Sequence, residues 1–154
     1  MRRRRSPFPI LLAVGCLVIM VIGFVSCSVQ SFTTNDPKEV IEEFYKSEKE
    51  GEFGQSWELF HSEMKKKFKK SSYIQTKNHV FMGHMEVDTF DVEIGDLREI
   101  NKWKFSKDGP SFKEVKAADV NLTFESQFGL LTITQTCYVA KDDGEWRVLW
   151  DYNF

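Results

Sequence analysis

The residues with the widest chemical range outside the first thirty positions are three histidines, His61, His79 and His84, and one thiol, Cys137. A zinc site needs three or four ligands at supporting spacings. His79 and His84 are five apart, whereas ligands on one helix face sit three or four apart. Glu63 and Glu86 are within range in sequence, but nothing fixes a coordination geometry. The expectation is no metal and no cofactor. Cys137 falls in phase with Ile133 and Val139 in an alternating run, the pattern of a buried strand residue. A reactive thiol wants exposure and a neighbouring positive charge. The expectation is therefore a chain without catalytic residues.

Two further groups could recognise rather than react. Lys65, Lys66, Lys67, Lys69 and Lys70 surround Phe68. They read either as a solvated helix end, where cations complement the helix dipole, or as a contact for anionic lipid or wall polymer. The aromatic residues Trp57, Phe60, Trp146, Trp150 and Tyr152 recur at inward-facing positions. They read either as core or as the lining of a ligand pocket, where an apolar body and a polar edge are both useful.

The elements that must position these groups follow from hydrophobic periodicity. Asp36-Pro37-Lys38-Glu39 is a helix start, with Asp36 as N-cap and Pro37 in the first turn. Val40, Ile41, Phe44 and Tyr45 share one face, and Gly51 is the stop. Trp57, Phe60 and Met64 predict a second helix. Ser71 or Ser72 caps a third, carrying Tyr73, Ile74 and Phe81. After Gly83 the period becomes two. Phe90, Val92 and Ile94 form a strand, Gly95-Asp96 turns, and another strand is expected near Ile100–Phe105. Lys107-Asp108-Gly109-Pro110 is a turn. Val120, Leu122 and Phe124 alternate, as do Leu131, Ile133, Gln135, Cys137 and Val139. Asp142-Asp143-Gly144 leads into a last strand with Trp146, Val148, Trp150 and Tyr152 on one face. Helices followed by an antiparallel meander predict an α+β domain, its helices packed on a curved sheet of four to five strands.

Charge divides the chain. Arg2, Arg3, Arg4 and Arg5 precede Ile10–Val29, in which 16 of 20 residues are apolar. A basic stretch before an apolar one is a secretory signal or membrane anchor, and the positive end stays cytoplasmic. Residues 30–154 carry 17 basic and 23 acidic side chains, a net −6 that argues against nucleic-acid binding. The organisation expected is an anchor or signal over 1–29, a linker over 30–35 and an extracytoplasmic domain over 36–154.

These motifs resemble a known superfamily. Pro37-x-Glu39-Val40-Ile41-x-x-Phe44-Tyr45, then Gly51-x-Phe53 and Trp57-x-Leu59-Phe60, look like the opening of nuclear transport factor 2-like (cystatin-like, cone-shaped) domains. Ser62 to Phe68 and Tyr73-Ile74 sit where related domains have a Ser- and Lys-rich junction. Gly144-Glu145-Trp146-Arg147-Val148-Leu149-Trp150-Asp151 resembles the last strand of the N-terminal, non-catalytic domain of some penicillin-binding transpeptidases. No Ser-x-x-Lys follows it, so acyl-enzyme chemistry is not expected. The resemblance implies a cone used for protein interaction, with a partner or as a homodimer through the sheet face, or for small-ligand binding at the bacterial envelope. The superfamily also includes hydratases and isomerases with an acid inside the cone; Asp88 and Asp91 are the candidates here. A third reading is a lipoprotein held to the anionic envelope surface by the lysine cluster, because Phe24-Val25-Ser26-Cys27 resembles a lipidation motif with Cys27 as the acylated residue.

Intact mass of the membrane-purified protein separates these anchors. The expected mass is close to the full chain, 18.0 kDa, from an uncleaved helix. Loss of the first 26 residues with a lipid adduct would instead identify Cys27 as the N-terminus.

Overall fold

A computed structural model describes residues 35–80, 89–104, 106–126 and 129–151, all within a unit spanning Thr33–Phe154. The 1–29 segment with Cys27, and Phe81, His84, Glu86, Asp88 and Tyr152, lie outside the described residues. Among those described, no helix is long and apolar enough to cross a membrane.

Helix α1 spans Pro37–Lys49. Asp36 Oδ1 accepts the Lys38 amide at 2.8 Å, and Pro37 opens the first turn. The helix ends where it was expected to. Gly51 has φ 73°, its amide donates to the Glu48 carbonyl, and the Glu52 amide donates to the Ser47 carbonyl. This pair of bonds is a Schellman stop, which needs a residue at positive φ. Val40, Ile41, Phe44 and Tyr45 are buried.

The single helix expected around Trp57, Phe60 and Met64 is two: α2 over Phe53–Glu58 and α3 over Ser62–Lys67. Between them Leu59 keeps helical dihedrals, and Phe60 and His61 leave the helix to bridge to Val148. The Val148 amide donates to the Leu59 carbonyl, and the His61 amide donates to the Val148 carbonyl, both at 2.9 Å. The break serves the outer edge of the last strand, whose exposed groups would otherwise lack partners. Helix α4 spans Lys70–Asn78, so its N-cap is Lys69 rather than Ser71 or Ser72.

Five strands form one curved antiparallel sheet: β1 Phe90–Ile94, β2 Arg98–Ile100, β3 Val115–Ser126, β4 Gly129–Asp142 and β5 Glu145–Leu149. The order is β1-β3-β4-β5, with β2 also on β3. Gly95 does not reverse the chain. β1 and β2 run along the same edge of β3, at Val120–Phe124 and Val115–Ala117. The Gly95 amide donates to the Asp119 carbonyl at 2.8 Å, and a Cβ there would come within 3.2 Å of that oxygen. Glycine thus permits a kink rather than a turn. The strand expected near Ile100–Phe105 shrinks to Arg98–Ile100, with Trp103 in an isolated bridge to Phe112. The β4–β5 hairpin turns at Asp143 and Gly144, both at positive φ, as an Asp-Gly signal requires.

Helices and sheet enclose a core in which Ile41, Phe60, Met64, Val120, Phe124 and Val139 are fully buried. The side of the sheet away from the helices is polar. On it Thr136 donates to Asp119, Thr134 donates to Asn121, and Thr123 meets Thr132 across β3 and β4.

His61 and Asp142 lock α3 to the β4–β5 turn. The Asp142 carboxylate accepts the Ser62 amide at 2.7 Å, and His61 Nδ1 accepts the Glu63 amide at 3.2 Å. Burial holds the His61 pKa below the ordinary histidine value, despite Asp142 at 3.8 Å, the Lys141 backbone and Glu63; Lys66 also lowers it. Its neutral form is therefore favoured by folding. The stability this gives is complete above the unfolded value near 6.5 and is lost as pH falls toward the folded one. The melting temperature should fall between pH 7.5 and pH 5. His61→Asn, which keeps a capping acceptor, should flatten that part of the thermal denaturation profile.

Candidate functional site

The chemistry-capable groups converge where α1, α2 and α4 meet β4 and the end of β5. From α1, Phe44, Tyr45 and Glu48 project from adjacent turns toward the sheet. From α4, Tyr73 and Lys77 share a face because they are four residues apart. Glu48 is 3% exposed. A carboxylate so placed needs compensation from every side. Tyr73 Oη donates to Glu48 Oε1 at 2.6 Å, Ser56 Oγ donates to the same oxygen, and Lys77 Nζ donates to Oε2. The ammonium lies 5.0 Å from the Trp150 ring centroid and 5.6 Å from that of Tyr73, within cation–π range.

Beside this network is a shallow cleft open to solvent, with about 20 Å³ of enclosed free volume. Phe44, Phe90, Leu122 and Leu149 supply apolar walls, and Tyr45, Lys77, Gln135 and Trp150 bring polar edges. Gln135 Nε2 donates to Tyr45 Oη at 2.8 Å. Burial holds the Tyr45 hydroxyl well above its ordinary value, and the nearby Cys137 adds to this. Burial likewise pushes the Cys137 thiol up to about 12. Tyr73 is raised by burial and then by the Glu48 charge. These three groups keep their protons at neutral pH. The arrangement presents fixed hydrogen-bonding groups against an apolar wall, without a poised nucleophile.

Of the aromatic residues singled out in the sequence, Tyr152 lies outside the described residues, and among the other four only Trp150 lines this cleft. Phe60 is buried behind it, its ring stacked 6.1 Å from that of Trp150. Trp57 lies on the helical surface, where its indole donates to the Phe68 carbonyl at 2.7 Å. Trp146 packs at the domain's entry, its indole donating to the Asn35 carbonyl at 3.0 Å. Asp91, a candidate for an acid inside the cone, is instead in solvent. Its side chain is 89% exposed beside Lys49, because it occupies the outward phase of β1. Lys65 and Lys70 flank the Trp57 ring and pair with Glu58, and Lys66 pairs with Glu63. Lys66, Lys67 and Lys69 are the exposed members of the cluster. Among the described residues no group of three His, Cys, Asp or Glu could hold a metal.

Sequence reasoning missed Glu48, Ser56, Tyr73 and Lys77 as a unit. One signal was present: Glu48 sits four residues after Phe44, on the apolar face of α1. Gln135 was visible as the one polar residue in an apolar alternation.

Lys77→Met would strand the Glu48 charge, a defect that costs roughly 3–5 kcal/mol in buried pairs. The double variant Glu48→Gln/Lys77→Met should recover most of that loss in urea denaturation, because glutamine can still accept from Ser56 and Tyr73.

Compared with models of known protein families the chain matches none, and comparison with characterised proteins gives no match either.

Proposed function

We propose that this chain is a non-catalytic binding domain of the nuclear transport factor 2-like type, tethered outside the bacterial cytoplasmic membrane by its first 29 residues. Its task is to hold a small, uncharged ligand in the cleft beside Trp150. The tether rests on Arg2–Arg5 and the apolar run Ile10–Val29. The superfamily reading is supported by helices preceding a curved antiparallel sheet, with the cleft between them.

The observation that carries the ligand reading is the internal neutralisation of the one charged pair at the cleft. Glu48 and Lys77 compensate each other, so the walls offer aromatic area and the amide of Gln135 but little net field. Such a surface suits a ligand with an apolar ring or face and one or two hydrogen-bonding groups. The protonated, buried Tyr45 and Cys137 support holding over turnover.

The test is a titration of isotopically labelled full-length protein in detergent, with indole as a neutral aromatic probe. Amide shifts are expected at Tyr45, Gln135 and Trp150. Trp150→Ala and Gln135→Leu should each weaken binding about tenfold, equivalent to ~1.4 kcal/mol. Shifts scattered over the surface, or saturation unchanged in both variants, would remove the reading.

A further inference from the structure

β4 is far longer than its outer neighbour. β3 pairs with it from Gly129 to Val139, but β5 covers only Tyr138–Asp142. The outer edge of β4 toward the hairpin tip therefore has no strand beside it among the described residues. Every residue from Gly129 to Thr134 is exposed. Leu130 is 77%, Leu131 45% and Ile133 39% exposed, although the last two continue the phase of the buried Cys137 and Val139.

A bare strand edge is a template for another strand, and proteins usually blunt it with charge, proline or a cover. The other three edge strands follow that rule, β2 through Arg98 and Glu99. β1 carries Asp91 and Glu93, and β5 is bonded by Leu59 and His61. The β4 run Gly129-Leu130-Leu131-Thr132-Ile133-Thr134-Gln135-Thr136 contains no charge and no proline. The rows crossing the sheet also stop short here. Phe90, Phe124 and Leu131 lie in one register row, and Val92, Leu122 and Ile133 in the next. Each row is buried in β3 and half open in β4.

We infer that this edge pairs with the same edge of a second copy of the chain, making one continuous antiparallel sheet across a two-fold axis. A second copy fits because the run is self-complementary. Antiparallel pairing centred on Thr132 sets Leu131 opposite Ile133 of the other copy, and Ile133 opposite Leu131, on the helix side. Thr132 meets Thr132, and Leu130 meets Thr134, on the other side. No like charges face each other, and each protomer offers the same surface, as an isologous interface demands. Backbone bonds supply the attraction and the Leu–Ile pairs supply register. The sheet face is a poorer place to join two copies, because its Thr, Asn and Asp rungs are already bonded to one another. This interface is independent of the cleft and of the membrane tether.

The test uses the full chain in detergent. In this pairing the Thr132 Cα atoms come about 4.5–5.5 Å apart, within reach of a disulfide. Thr132→Cys should give a covalent dimer on mild oxidation, beyond the background of the parent chain from Cys16 and Cys27. Thr123→Cys, on the same polar side but one strand inward, should not. Adding Ile133→Lys or Thr134→Lys to Thr132→Cys should reduce the crosslink about tenfold, as charge does on an edge strand. Circular dichroism would verify that these exposed substitutions leave the domain folded. A strictly monomeric parent in sedimentation would overturn the inference. So would equal crosslinking at Thr123, which would indicate face-to-face pairing, or a Thr132 crosslink insensitive to both lysines.

Discussion

The domain is organised around a charge that cannot stand alone. Glu48 lies inside, on the apolar face of α1, and every group that satisfies it comes from another helix. Ser56 belongs to α2, and Tyr73 and Lys77 belong to α4. Helix α4 has few apolar residues with which to fix its own orientation; Tyr73 is its one buried side chain. The carboxylate supplies what hydrophobic contact does not, a directional reason for α4 to dock in one rotation. Replacing a whole buried ion pair with apolar groups is often neutral for stability, whereas losing one partner is costly, so the carboxylate and α4 are bound to each other. Two of these side chains, Lys77 and Tyr73, then hold Trp150 together with the Phe60 ring. The cleft wall is thus a by-product of how the helices are held.

The sheet is built from unequal strands, and the inequalities have separate causes. β5 stops at Leu149 and has its outer edge bonded by Leu59 and His61, which lie between α2 and α3. β1 and β2 share one edge of β3 because Gly95 lets the chain kink without reversing. The long β3–β4 hairpin outruns both neighbours. Its base is buried under helices, whereas its tip keeps the apolar alternation of a covered strand in an uncovered place.

Much of this architecture was legible in the sequence, for reasons that can be named. Asp36-Pro37 and Gly51 bound α1 because capping is local chemistry, settled within four residues. The strands were legible wherever alternation ran for five residues or more. The errors came where a distant partner overrode local pattern. Trp57, Phe60 and Met64 have helical spacing, yet Phe60 leaves the helix because β5 needs partners for Val148. Gly95 resembles a turn residue, yet Asp119 across the sheet decides its geometry. The site was less visible still. Glu48, Tyr73 and Lys77 are separated by up to 29 residues, and no local rule links them. Leu131 and Ile133 read as core because periodicity reports phase, whereas burial depends on what lies above.

The clasp between Trp146 and Asn35 gives the domain a mechanical polarity. The indole grips the backbone one residue before the N-cap of α1, and Trp146 is itself paired with Lys141 near the base of β4. Tension applied through the chain preceding residue 35 is thereby shared between the first helix and the last hairpin. It does not reach the helix end alone. From Lys141 to Gly129 the strand runs roughly 40 Å at ~3.3 Å per residue. The Trp146–Asn35 clasp and the hairpin tip are therefore at opposite ends of β4.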